Sequence, residues 1–82
     1  MTELEVKALI DKQFPLDKYT TFDACDEIKT WSAKDLKEFL SQLKQEKYNK
    51  DIAVFVITKF ILYSRGVIEF AELKNNNFIK SL

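Results

Sequence analysis

Cysteine and histidine are the usual ligands of zinc, and a catalytic cysteine commonly pairs with a histidine, but this sequence has almost none of either residue. Cys25 is the only cysteine, and the 82 residues contain no histidine. A zinc site requires cysteine and histidine in groups, and a catalytic cysteine requires a base beside it. We therefore expect neither a metal site nor nucleophilic catalysis here. We expect Cys25 to be a small buried apolar residue of the core.

Acidic residues are plentiful, but the one segment that could form a calcium loop does not fit. That segment begins at Asp17, and Asp23 stands at one of its alternating ligand positions. Its sixth position holds Phe22 and its twelfth holds Ile28, where such a loop requires glycine and glutamate. The sequence therefore predicts no calcium site.

Carboxylate pairs and glycine-rich loops could still support catalysis or phosphate binding. Asp23, Asp26 and Glu27 crowd the start of a predicted helix, where negative charge stabilises the helix dipole and calls for no further role. Gly66 is the only glycine, whereas a loop that binds phosphate needs several glycines in one turn. We expect a protein without cofactors and without enzymatic activity.

Charge and composition narrow the class of protein further. The chain carries 13 basic and 13 acidic residues, and a net charge of zero argues against sequence-independent nucleic-acid binding. The balance is uneven, because residues 1–30 hold four lysines and seven acids. Arg65 is the only arginine beside twelve lysines, and together with the run of asparagines at residues 75–77 this composition is typical of an AT-rich bacterial or phage genome.

The same composition predicts a cytoplasmic protein. A lone cysteine indicates a reducing compartment, and the acidic start of the sequence does not resemble a signal peptide. The longest apolar run, Ile52 to Tyr63, includes Lys59 and is shorter than the roughly 20 residues that a membrane-spanning helix needs. We expect no membrane contact.

The spacing of apolar residues predicts an all-α fold, a single domain over residues 1–82 with four to five short helices. Thr2 and Glu5 predict a capping box for a first helix over residues 3–13, which Pro15 ends. A second helix is predicted to begin near Thr20. Ser32 is predicted to cap a third helix that ends near residues 48–49. The apolar positions of these helices are Val6, Leu9, Ile10, Ala24, Ile28, Leu36, Phe39, Leu40 and Leu43.

A largely buried central helix is predicted over residues 51–65. Its β-branched residues at 52–58 would also suit a buried strand. Its length, Asp51 as a cap and Gly66 after the last turn favour a helix. Its apolar residues occupy nearly the whole circumference, as expected for a helix packed on most sides. Two further turns are predicted over residues 67–74, and Phe78, Ile79 and Leu82 are predicted to form a short final helix or a docking tail.

One wall of the central helix is the first candidate site for a partner. Phe55, Leu62, Lys59 and Arg65 lie on this wall. If the charged groups face water, the two apolar residues are partly exposed and suggest a docking surface for another protein or a second copy. In the alternative, which we favour, the C-terminal tail covers them through Phe78, Ile79 and Leu82 while the longer side chains reach past to water. Trp31, between the second and third helices, is predicted to be a core wedge.

The third predicted helix supplies the alternative site. Lys34, Lys37, Lys44 and Lys47 lie along one flank of that helix, and acidic residues lie along the other. A nucleic-acid-binding regulator could use such a lysine flank, although the neighbouring acids would repel phosphate. The leading prediction is therefore a small, non-enzymatic protein-protein interaction module, and nucleic-acid binding is the alternative.

Overall fold

The chain forms five α-helices and no strand in a computed structural model that describes residues 1–82. The helices are α1 (Glu3–Gln13), α2 (Thr21–Lys29), α3 (Ala33–Gln42), α4 (Lys50–Ser64) and α5 (Phe70–Lys74). The predicted all-α class is therefore confirmed, and so is the short-helix architecture.

A polar side chain caps the N-terminus of each of the first four helices. Thr2 and Thr20 each form a capping box, in which the hydroxyl accepts a hydrogen bond from the backbone N–H three residues later. Ser32 accepts from the N–H of residue 35, as predicted. The prediction for α4 is wrong by two residues, because Asn49 is its cap and Asp51 lies in its first turn. These caps satisfy amide groups that have no partner inside a helix.

Helix α4 is the central element, and the other four helices all pack against it. The helical alternative for residues 52–58 is thus correct and the strand alternative is not. Its buried side chains are Ala53, Val56, Ile57, Phe60, Ile61 and Tyr63. Apolar groups on most of the circumference allow one helix to bury the apolar faces of four neighbours.

Helix α3 ends earlier than predicted, at Gln42 instead of near residues 48–49. Lys44 adopts the left-handed conformation, with φ of 56°. The N–H of Gln45 donates to the carbonyl of Leu40 at 2.9 Å, and the N–H of Lys44 donates to that of Ser41 at 3.0 Å. This is the Schellman arrangement that usually ends on glycine. Because a lysine rather than a glycine occupies this position, the sequence pattern does not indicate the end of the helix.

Replacing Lys44 by glycine is expected to raise the free energy of unfolding by about 0.5 kcal/mol. The left-handed region costs a residue with a side chain roughly 1–2 kcal/mol, and the greater unfolded-state freedom of glycine offsets part of the gain. Urea denaturation followed by far-ultraviolet circular dichroism measures the change.

Gly66 provides the matched control, because it takes the same role after α4 with φ of 77° and a Cβ there would meet open space. Gly66→Ala is expected to lower the free energy of unfolding by about 1 kcal/mol through the backbone alone. A loss of stability in Lys44→Gly would show that the lysine side chain matters more than its backbone conformation.

The C-terminal tail after α5 is irregular rather than helical, with turns at Asn75 and at Asn77–Phe78. Helix α5 is shorter than the predicted 67–74, and no final helix forms around Phe78. Ile79 is buried in the core. The side-chain amide of Gln45 donates to the carbonyl of Lys80 and accepts from its N–H, both at 2.7 Å. This pair of hydrogen bonds fixes the tail against the loop between α3 and α4.

Candidate functional site

The predicted wall of α4 is partly covered by the tail. The ring of Phe78 packs edge to face on Phe55, with 6.3 Å between centroids, and on Tyr48 at 5.6 Å. Phe55 remains 43% exposed and Phe78 remains 40% exposed. The two alternatives for this wall are thus combined, since the tail contacts the wall and adds a second exposed ring to it. We call Tyr48, Phe55, Lys59 and Phe78 the Phe55–Phe78 surface.

Three of the four predicted wall residues, Phe55, Lys59 and Leu62, lie near one another on α4. The ammonium group of Lys59 lies 5.5 Å from the centre of the Phe55 ring and 3.6 Å from the Glu72 carboxylate. Leu62 is partly buried one turn further along. Tyr48 is held by its hydroxyl, 3.0 Å from the carbonyl of Phe78. The loop before α4, α4 itself and the tail therefore each contribute one aromatic ring to the surface, Tyr48, Phe55 and Phe78 respectively.

Arg65 does not belong to this surface, because its side chain is only 4% exposed. Its guanidinium donates to the carbonyl of Phe14 at 2.6 Å and to the carboxylate of Asp11 at 3.2 Å. Phe14 is the C-terminal cap residue of α1, where a positive charge stabilises the helix dipole. Arg65 therefore anchors α1 to α4.

The lysine flank is only partly assembled, because α3 ends before two of its members. Lys34, Lys37 and Lys47 line a shallow groove of about 390 Å³ with Glu38 and Ser41. Lys44, at the turn after α3, does not line it. The groove is open and holds a carboxylate beside its three ammonium groups.

Cys25 packs against the core, as expected, but it is only partly buried, which corrects the expectation of full burial. Burial nevertheless raises the pKa of its thiol, and the carboxylate of Asp26 raises it further, while Lys29 and Arg65 oppose the shift. A raised pKa lowers the thiolate fraction near neutral pH, and the thiolate is the reactive form. The thiol therefore has the character of a packing group rather than a nucleophile.

The acidic start of α2 has structural roles. Asp23 completes the capping box of Thr20. Asp26 pairs with Lys29 at 3.5 Å on the exposed face of the helix. In the whole chain, no group of three or more cysteine, aspartate or glutamate side chains lies close enough to hold a metal ion.

Trp31 is the residue whose surroundings the sequence did not reveal. Its indole stacks on Phe14 with 5.7 Å between centroids, and it meets Phe39 edge-on at 5.7 Å. Tyr19 packs edge-on against Phe14 at 5.5 Å. The core wedge is thus present, but Trp31 and Tyr19 are also partly exposed. They border an open cleft of about 290 Å³.

We call this opening the Trp31 cleft. All the charged side chains that line it are acidic. Its polar residues are Gln13, Glu27, Asp35, Glu38 and Gln42. No lysine or arginine lines it, and its three carboxylates form none of the ion pairs of the molecule. The acidic flank of α3 was visible in the sequence. The sequence did not show that this flank lies beside Phe14 and Tyr19, because those two residues come from the region between α1 and α2.

The fold and these surfaces define the class of protein as a small all-helical protein built around one central helix. None of its helices combines the length and apolar character needed to cross a membrane. Comparison with protein-family models, curated proteins and solved structures gives no significant match.

Proposed function

We propose that this chain is a non-enzymatic protein-protein interaction module whose docking surface is the Phe55–Phe78 surface. The observation that carries the proposal is the pair of phenylalanines from α4 and the tail, packed on one another while each keeps about 40% of its surface in water. Exposed aromatic rings that adjoin and are held by their neighbours are the usual energetic centre of a protein interface.

The surface is also prepared for binding by its surroundings. Tyr48 and the Gln45–Lys80 hydrogen bonds fix the tail that carries Phe78, so little conformational freedom is lost when a partner docks. Lys59 and Glu72 form an ion pair beside the rings, which gives the apolar centre a polar rim. The occupant is an apolar segment of another protein or a second copy of this chain.

Photo-crosslinking tests this proposal directly. A benzoylphenylalanine at position 55 is expected to crosslink to a protein in a lysate of the source organism, or to a second copy of the purified chain. Phe55→Lys is expected to weaken that association about tenfold or more, as loss of an interface anchor does. Sedimentation velocity separates self-association from binding of another protein.

Phe22 is the matched control, since it is 80% exposed and lies in the first turn of α2, outside the Phe55–Phe78 surface. The same photoreactive residue at position 22 is expected to give no specific adduct, and Phe22→Lys is expected to leave the association unchanged. A monomer that forms no adduct from position 55, or equal adducts from both positions, would contradict the proposal.

A second candidate function, nucleic-acid binding, is favoured by the groove that Lys34, Lys37 and Lys47 line together. A gel shift with duplex DNA at low and high salt tests it. Lys37→Glu combined with Lys47→Glu should then abolish salt-dependent binding, and Lys44→Glu, outside the groove, should not. Absence of binding at low salt would eliminate this candidate.

A further inference from the structure

We infer that the Trp31 cleft binds an arginine side chain of a protein partner. Four aromatic residues line the cleft, Phe14, Tyr19, Trp31 and Phe39, and of these Trp31 and Tyr19 expose part of their rings. Phe14 and Phe39 are buried and form its floor, and Trp31 and Tyr19 border its opening. Its volume of about 290 Å³ is at the lower end of the range for ligand pockets and suits one long side chain.

The charge of the lining selects a cation. Glu27, Asp35 and Glu38 come from two helices that meet at Trp31, and each carboxylate is free of an ion pair. A cation placed against aromatic rings is attracted by their negative faces, and tryptophan attracts it most strongly. Anionic and neutral ligands would face three carboxylates with no basic group in the lining.

The shape of the lining favours guanidinium over ammonium. A guanidinium is planar, stacks on aromatic rings and directs its five N–H donors in its own plane toward carboxylates. The cleft offers as walls the partly exposed flat rings of Trp31 and Tyr19. It also offers five acceptor-bearing side chains, the three carboxylates and the amides of Gln13 and Gln42. A lysine ammonium would use the charge of the site but not its flat walls.

The inference rests on the proposed function only in that the arginine belongs to a partner protein. The Trp31 cleft shares no residue with the Phe55–Phe78 surface. A partner could therefore engage either site alone, and the two proposals can fail separately.

Trp31 is the only tryptophan, so its fluorescence and its single indole N–H resonance report on the cleft without further labelling. The probes are three capped tripeptides, glycine-arginine-glycine, glycine-lysine-glycine and glycine-citrulline-glycine. Citrulline keeps the shape of arginine without its charge. We expect saturable shifts of the indole signal with the arginine peptide, weaker binding of the lysine peptide and no saturable binding of the citrulline peptide.

Variants locate the interaction at the carboxylates. Asp35→Asn combined with Glu38→Gln is expected to weaken arginine-peptide binding roughly tenfold, because charge-assisted hydrogen bonds become neutral ones. Both residues are exposed, so the fold is retained. Asp26→Asn, an acid of α2 outside the cleft, is the control and should bind as the wild type does. Phe55→Lys should also keep the peptide response.

No saturable shift with the arginine peptide would overturn the inference. Lysine-peptide binding as strong as arginine-peptide binding would also overturn it, because the flat walls would then have no effect. Comparable binding of the citrulline peptide would overturn it as well, since charge would not matter. Loss of crosslinking from position 55 together with intact peptide binding would contradict the proposed function alone.

Discussion

Replacing Phe14 by alanine is expected to lower the free energy of unfolding by about 4 kcal/mol. Phe14 is fully buried and lies 5.5 to 6.1 Å, between ring centroids, from Tyr19, Trp31 and Phe39. Alanine would leave a cavity and remove three aromatic contacts at once. A small protein of this length has a total free energy of unfolding of roughly 4–12 kcal/mol, so the substitution is expected to remove between about a third and all of it.

Urea denaturation, followed by circular dichroism and by Trp31 fluorescence, measures this loss. Phe14→Leu fills more of the cavity and should cost less, about 1–2 kcal/mol. Phe22→Ala is the control, since a side chain that is 80% exposed should change stability by no more than about 0.5 kcal/mol. If Phe14→Ala and Phe22→Ala were equally stable, Phe14 would not be the centre of the aromatic cluster.

Arg65→Ala is expected to lower the free energy of unfolding by about 2–3 kcal/mol. The substitution removes a charge-assisted hydrogen bond to the carbonyl of Phe14 and leaves the end of α1 without its cationic partner. Asp11 contributes less, because its side chain is 52% exposed and solvent screens the pair. We therefore expect Asp11→Asn to cost less than about 1 kcal/mol.

Arg65→Met separates the hydrogen bonds from the packing of the side chain. Methionine keeps most of the apolar stem, so the variant should fall between wild type and Arg65→Ala in thermal and urea denaturation. A variant as stable as wild type would show that burial of the guanidinium offsets its hydrogen bonds, as happens for some buried charges. Equal losses in Arg65→Ala and Asp11→Asn would place the effect in the ion pair instead.

Local features of the fold could be predicted because their partners are close in the sequence. The capping boxes join residues three apart, and the apolar spacing of α4 together with Gly66 defines that helix and its end. The end of α3 could not be predicted, because a lysine takes the left-handed turn that the rule assigns to glycine.

Contacts between residues that are distant in the chain could not be predicted from the sequence. An arginine such as Arg65 is expected at the surface, and its hydrogen-bond partner, the carbonyl of Phe14, lies 51 positions away in the sequence. Gln45 likewise meets Lys80 across 35 positions. The candidate wall was predicted in part. Periodicity placed Phe55, Lys59 and Leu62 together, and the tail was predicted as a cover for the two apolar residues, but the sequence could not give the edge-to-face contact between Phe78 and Phe55. The Trp31 cleft could not be predicted, because its aromatic residues come from separate segments that only the tertiary fold brings together.

The central position of α4 has a consequence for how the chain is made. Helices α1, α2 and α3 each pack on α4 more extensively than on one another, and all three precede it in the sequence. During synthesis they leave the ribosome before their common partner exists, and their apolar faces have nothing to bury against. We therefore expect the first half of the chain to remain unfolded until α4 emerges, with folding as a late step of translation.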